Sequence, residues 1–127
     1  MKLHLTQAEG QNLITGFTDD SIDVNNRRYT TSIIVMPTSI NANWQSNTST
    51  VLSFETLTSD DIEKIAVLRP EVVLLGTGKI HRFLHPKLSM ALSQQGIAVE
   101  CMTTAAACRT YNILMSEGRK VAAALLL

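Results

Sequence analysis

Apolar and polar positions change rhythm along this chain near Ser53. Before it, short apolar stretches alternate with polar residues in the period-two pattern of half-buried strands. Leu3 and Leu5 alternate with His4 and Thr6, residues 12–17 form a second short stretch, and Thr18-Asp19-Asp20 has turn composition. Residues 21–24 and 27–36 flank Asn25-Asn26. A two-residue Asn-Asn connection between β-rich runs predicts a type I′ hairpin, because asparagine tolerates positive φ. The pattern predicts a meander of three or four strands, ended by Pro37, which supplies no ladder donor. Residues 38–50 are rich in Ser, Thr and Asn and read as a long loop around a lone Trp44. That indole is expected to plug the edge of the core or, failing that, to meet a partner.

Beyond Ser53 the pattern alternates between helix and strand. Thr58 followed three residues later by Asp61 resembles a capping box, and Asp60, Asp61 and Glu63 suit the positive end of a helix dipole. Ile62, Ile65 and Ala66 give this helix its apolar stripe; it should end near Leu68, since Pro70 disfavours α geometry at Arg69. Val72-Val73-Leu74-Leu75, closed by Gly76, reads as a strand covered on both faces. A helix opens at Pro86, turns Leu88, Ala91 and Leu92 inward and stops at Gly96. Residues 97–102 form the next strand, Thr103 or Thr104 caps a helix over 105–117 that stops at Gly118, and 120–127 is a last apolar strand.

The predicted architecture is therefore one α/β domain over 1–127, with an N-terminal β-meander (1–52) followed by a C-terminal parallel βαβαβ unit (53–127). In open α/β sheets ligands gather beyond the carboxyl ends of the strands. Here those ends carry Gly76-Thr77-Gly78-Lys79 and Thr103-Thr104.

Composition narrows the function classes. Eleven Lys/Arg balance eleven Asp/Glu, so no overall field favours nucleic acid, and no nucleic-acid partner is expected. The balance is uneven, however: beyond Gly76 there are six cations against two carboxylates, which makes that half locally basic. Two cysteines, Cys101 and Cys108, form neither a C-x-x-C pair nor a disulfide framework and fit a reducing compartment. The first residues have no signal-peptide pattern, and the longest apolar run, 121–127, is far short of the roughly twenty residues that span a bilayer. A cytoplasmic, non-spanning protein is expected.

The candidate chemistry is sparse. Gly76-Thr77-Gly78-Lys79 brings mobile backbone and a point charge together, but lacks the longer loop and the Lys-Ser/Thr of a phosphate-binding loop, and the third glycine of a dinucleotide site. Two glycines that let the chain turn sharply at the strand end are the favoured account, with a shallow ligand or partner site as the other. Thr103-Thr104 at a helix start offers hydroxyls and free N–H groups suited to an anion, or merely a cap. Arg109 is expected to pair with Glu100 or Glu117, with ligand binding as its other role. His81 and His85 have i, i+4 spacing, but Pro86 argues against helix there and no third ligand adjoins them, so no metal and no cofactor is expected. Cys101 and Cys108 read as small core residues rather than nucleophiles. No Ser-His-Asp set or paired-carboxylate arrangement can be drawn.

The second half carries a more specific pattern. It runs from Pro70-Glu71-Val72-Val73 to Gly76-Thr77-Gly78, then Gly96-Ile97 with Glu100, then Thr104, Ala107 and Arg109-Thr110-Tyr111-Asn112. Leu114, Glu117-Gly118-Arg119, Val121, Ala124 and Leu125 complete it. In the order and spacing of these motifs over 53–127 the chain resembles the small single-domain family that includes mitochondrial respiratory complex I (NADH dehydrogenase) assembly factor 3. The resemblance implies a three-layer α/β fold with a mixed sheet and, from the mitochondrial member, a non-enzymatic assembly role acting through protein contacts. It supplies no catalytic residues.

Two functions follow as expectations. The first is a non-enzymatic accessory protein, with a protein partner and a plausible homodimer. Its contact surface would comprise Gly76, Thr77, Gly78, Lys79, Arg82, Thr103, Thr104, Arg109 and Trp44. The alternative is a small-molecule enzyme or anion-binding sensor that uses Lys79, Arg82 and the helix N-terminus after Thr104.

Overall fold

A computed structural model describes residues 10–44 and 53–127; the alternation at Leu3 and Leu5, and residues 45–50 of the expected loop, lie outside them. Strands β1 (Ile14–Thr18), β2 (Ser21–Val24) and β3 (Arg27–Tyr29) form an antiparallel sheet of their own. Asn25 and Asn26 sit at φ 51° and 66°, as a type I′ connection between β2 and β3 requires.

The expectation of one strand over 27–36 is corrected. Its second part is a separate strand, β4 (Ile33–Met36), which leaves the small sheet and pairs with β5 (Ser39–Asn41). The division follows from burial: Arg27 and Arg28 are exposed, whereas all of Ile33-Ile34-Val35-Met36 is buried. One straight strand cannot be a solvated edge and a strand covered on both faces. Strand β5 also falls where only loop was expected.

The large sheet continues with β6 (Val72–Gly76), β7 (Ala98–Met102) and β8 (Val121–Leu125), in the order β5-β4-β8-β6-β7. β6 is parallel to both β7 and β8, and β4 is antiparallel to β8, so the sheet is mixed. Helices α1 (Ser59–Ala66) and α2 (Pro86–Ser93) cover one face, and α3 (Thr104–Ser116) with the small sheet covers the other. Alternation along the central strands assigns each side chain. Val72 and Leu74 join Val121, Ala123 and Leu125 in one core; Val73 and Leu75 join Ala122 and Ala124 in the other.

Local signals explain the helix ends. Thr58 and Asp61 form the reciprocal capping box that opens α1. Arg69 leaves helical geometry at φ 51°, which is left-handed rather than extended. His85 caps α2, its Nδ1 accepting from the Lys87 N–H at 3.1 Å, so His81 and His85 do not share a helix face. Trp44 is fully buried against α1: its Nε1 donates to the Asp61 carbonyl at 3.0 Å, while Lys64 Nζ donates to the Trp44 carbonyl at 2.8 Å. Of its two expected roles, the plug is the one the fold uses.

Candidate functional site

Because β6 and β7 are parallel and in register from Val72–Ala98 to Gly76–Met102, the segments that follow them leave the sheet side by side. The Gly-Thr-Gly turn and the Thr pair therefore meet. Thr104 fastens them. Its Oγ1 donates to the Leu126 carbonyl at 2.6 Å and accepts from the Gly78 N–H at 2.9 Å, and its own N–H donates to the Gly78 carbonyl at 2.9 Å. One hydroxyl thus ties the ends of β6, α3 and β8 together. Gly76 is required by this closeness, since a Cβ there would sit 2.9 Å from the Thr104 Cα. Gly78 turns the chain at φ 94°.

Thr77 is equally committed to the turn. Its hydroxyl lies 2.7 Å from the Ile80 carbonyl, to which it donates, and accepts from the Arg82 N–H at 3.3 Å. The segment after Gly78 is therefore held in shape by the sheet, and it presents Ile80 at 63% and Phe83 at 80% exposure.

Beside this turn lies a cavity of about 440 Å³. Gly78, Thr104, Ala105 and Leu126 line one side, Phe17 and the Asp19-Asp20 turn of the small sheet another, and Phe54 and Glu55 a third. Its two cations are already paired: Lys79 Nζ lies 3.6 Å from Asp19, and Arg82 lies 3.0 Å from Glu55 with its guanidinium over the Phe54 ring. With Asp20, three carboxylates line the cavity against two cations. The cations of the second half that reach the cavity thus meet carboxylates from the first half.

Of the residues singled out in the sequence, Thr77, Gly78, Lys79, Arg82 and Thr104 line the cavity, and Gly76 lies directly beneath it. Thr103 is the α3 cap, accepting from the Ala106 N–H at 3.3 Å. Arg109 is corrected: among the described residues it joins no ion pair with Glu100 or Glu117, and its guanidinium instead lies over the Phe17 ring at 5.8 Å. Trp44 is in the core, away from the rim. Sequence reasoning missed Phe17, Asp19, Phe54 and Glu55, which reach the site only through tertiary packing. It also missed Phe83, whose apolar ring in a polar stretch was a legible signal.

The remaining chemistry-bearing groups are structural. Burial pushes the Cys108 thiol up from 9.0 to about 12, against a smaller opposing pull from Arg109, so it is a protonated core residue at neutral pH. Tyr111, raised by burial, donates to the Asn12 carbonyl at 2.8 Å. Asn112 is fully buried and clasps Ile14 at both ends: Oδ1 accepts from the Ile14 N–H at 2.9 Å, and Nδ2 donates to the Ile14 carbonyl at 2.7 Å. No helix among the described residues is long and apolar enough to cross a membrane, and none of their His, Cys, Asp and Glu side chains cluster as a metal site.

The sequence pattern of the family described as protein of unknown function (DUF498/DUF598) matches residues 14–126. NADH dehydrogenase (ubiquinone) 1 alpha subcomplex assembly factor 3 of Mus musculus is 41% identical over 76 residues, covering 58% of this chain and 41% of that protein. The Danio rerio protein of the same name is 32% identical over 122 residues, covering 94% of this chain and 67% of that protein. The chain thus spans about two fifths of the length of the mammalian relatives it matches. Among solved structures, a Bordetella parapertussis protein superposes with a TM-score of 0.83 at 39% identity, covering 94% of this chain and 98% of that one. A Bordetella pertussis protein described as a Mth938-like domain gives 0.80 at 33% identity, over 99% of this chain and 92% of that one.

Proposed function

The chain belongs to the DUF498/DUF598 family, and we propose that it works as a non-enzymatic accessory protein in the assembly of a respiratory complex, through protein contacts at the Gly76–Phe83 rim. The assembly role is suggested by the relatives that carry the name of an assembly factor. The contact surface is suggested by one observation: Ile80 and Phe83 stand exposed on a segment whose backbone is fastened by Thr77 and Thr104. Backbone already fastened before docking lowers the ordering cost of binding, and an exposed aromatic side chain is a good anchor for a protein interface. The polar groups beside it are spent on internal bonds and ion pairs, which leaves few to activate a substrate.

Deletion of the gene in its native cells tests the assembly role. NADH:quinone oxidoreductase subunits should accumulate as incomplete subcomplexes, and the chain carrying Phe83→Asp should fail to restore the complete enzyme. Unchanged assembly in the deletion strain would sink the proposal.

The cavity itself favours a second reading, a small-molecule site, since its volume lies within the roughly 300–1,000 Å³ usual for such sites. Its paired charges suit a zwitterion better than a simple anion. A thermal-shift panel of amino acids, nucleotides and carboxylates tests it. A ligand at a hundredfold excess over its Kd should stabilise the chain by about 2.7 kcal/mol. No stabilisation across the panel removes this reading.

A further inference from the structure

Sheet edges offer rows of free N–H and C=O groups to other chains, and stable proteins usually blunt them. Among the described residues the two sheets have four edges, and three of them are blunted. At β1, Asn112 occupies both the Ile14 N–H and its carbonyl, and the pairing with β2 shifts register between Ile14 and Gly16. β3 is three residues long and carries Arg27 and Arg28. β5 is also three residues long, and Asn12 Nδ2 donates to its Ser39 carbonyl at 3.2 Å.

β7 has none of these protections. Among the described residues it pairs only with β6, in unbroken register over five residues, and its sequence Ala-Val-Glu-Cys-Met holds no proline, glycine or cation. The Met102 carbonyl accepts from Thr77 on the β6 side. Peptide groups alternate in direction along a strand, so those of Val99 and Cys101 point away from the sheet. Their side chains pack toward the α1 and α2 face, while Glu100 stands exposed on the opposite face.

We propose that β7 is a docking edge that takes an extended segment of a partner protein as an added strand, with a Lys or Arg of that segment facing Glu100. This deepens the protein-contact reading of the function and rests on it. Main-chain bonds to Val99 and Cys101 supply affinity in such a mode, and the facing side chain supplies specificity. The occupant is a partner rather than a second copy because of charge. Full antiparallel pairing of two β7 strands sets Glu100 against Glu100, and like charges directly opposite are destabilising.

The test uses the full chain, labelled with ¹⁵N, and two acetylated peptides, Thr-Val-Ser-Val-Lys-Val-Ser-Val-Thr and the same sequence with Glu at its centre. The lysine peptide should shift the Val99 and Cys101 amides and bind at least tenfold more tightly than the glutamate peptide. Glu100→Lys, a change at an exposed position, should reverse that preference. Absence of shifts at Val99 and Cys101, or a preference indifferent to Glu100→Lys, overturns the proposal. So does a concentration-dependent dimer whose amide shifts map to β7 without peptide, which would make the occupant a second copy. If the peptides fail while Phe83→Asp still blocks assembly in cells, only the docking edge is lost; if the peptides bind and the deletion strain assembles normally, only the assembly role is.

Discussion

Helix α3 carries a polar clasp at each of two places, and the two do different work. Near its end, Tyr111 and Asn112 reach into the small sheet, where both are fully buried and bond to Asn12 and Ile14. At its start, Thr104 binds Gly78 and Leu126 on the wall of a cavity, 8% exposed, beneath a segment that displays Ile80 and Phe83. Both clasps hold polypeptide segments that are far apart in sequence. Only the second shapes a surface that another molecule can reach. Tyr111 and Asn112 of the Arg-Thr-Tyr-Asn run therefore serve the architecture.

The comparison can be broken at either clasp. Asn112→Leu should cost most, about 2–4 kcal/mol, because it strands a buried N–H and a buried carbonyl of Ile14 without partners. Urea unfolding reads the loss, and the folded fraction should retain its rim contacts. Gly76→Ala comes next: its methyl group meets the Thr104 backbone at 2.9 Å, and such overpacking costs about 1–3 kcal/mol. The same unfolding curve measures it, and a midpoint equal to wild type would mean the rim lacks the tightness described. Thr104→Val should lose about 1–2 kcal/mol and loosen the turn, seen as faster exchange of the Gly78 amide, whereas Thr104→Ser keeps the bonds.

A pH series sharpens the contrast on the buried side. Cys108 keeps its proton in the folded chain up to about pH 12 but releases it near 9.0 when unfolded. Its contribution is complete below pH 9 and is lost as pH rises from there toward 12, at no more than about 1.4 kcal/mol per pH unit. Urea midpoints should fall between pH 9 and 10, and Cys108→Ala should flatten that fall. The smallest effect on stability belongs to Phe83→Asp, within about 0.5 kcal/mol because the ring is exposed. Its consequence should appear only as lost partner binding. A large drop in the unfolding midpoint would instead make Phe83 structural.

Much of the second half was legible because its signals are local. Thr58 with Asp61, Pro86, Gly96 and Gly118 mark helix ends through backbone geometry that neighbouring residues impose. The unbroken apolar run at Val72 marks a strand with two covered faces. The first half was less legible. Residues 27–36 look like one strand because period-two alternation does not say which sheet a strand joins, and that choice depends on partners such as Leu125 and Ala124 ninety residues away in sequence. The cavity was half visible: Gly78, Lys79 and Thr104 stood out, but the Asp19 and Glu55 that neutralise Lys79 and Arg82 did not.

What the sequence determined by itself is the elements of the second half and the meeting of two strand ends, because caps, glycines and hydrophobic period act over a few residues. What only tertiary structure decided is the charge balance of the site, the fate of Asn112 and Arg109, and which edges of the two sheets stay open. Those depend on distances between residues far apart along the chain, and electrostatic and hydrogen-bond energies are set by distance in space, not by separation in sequence.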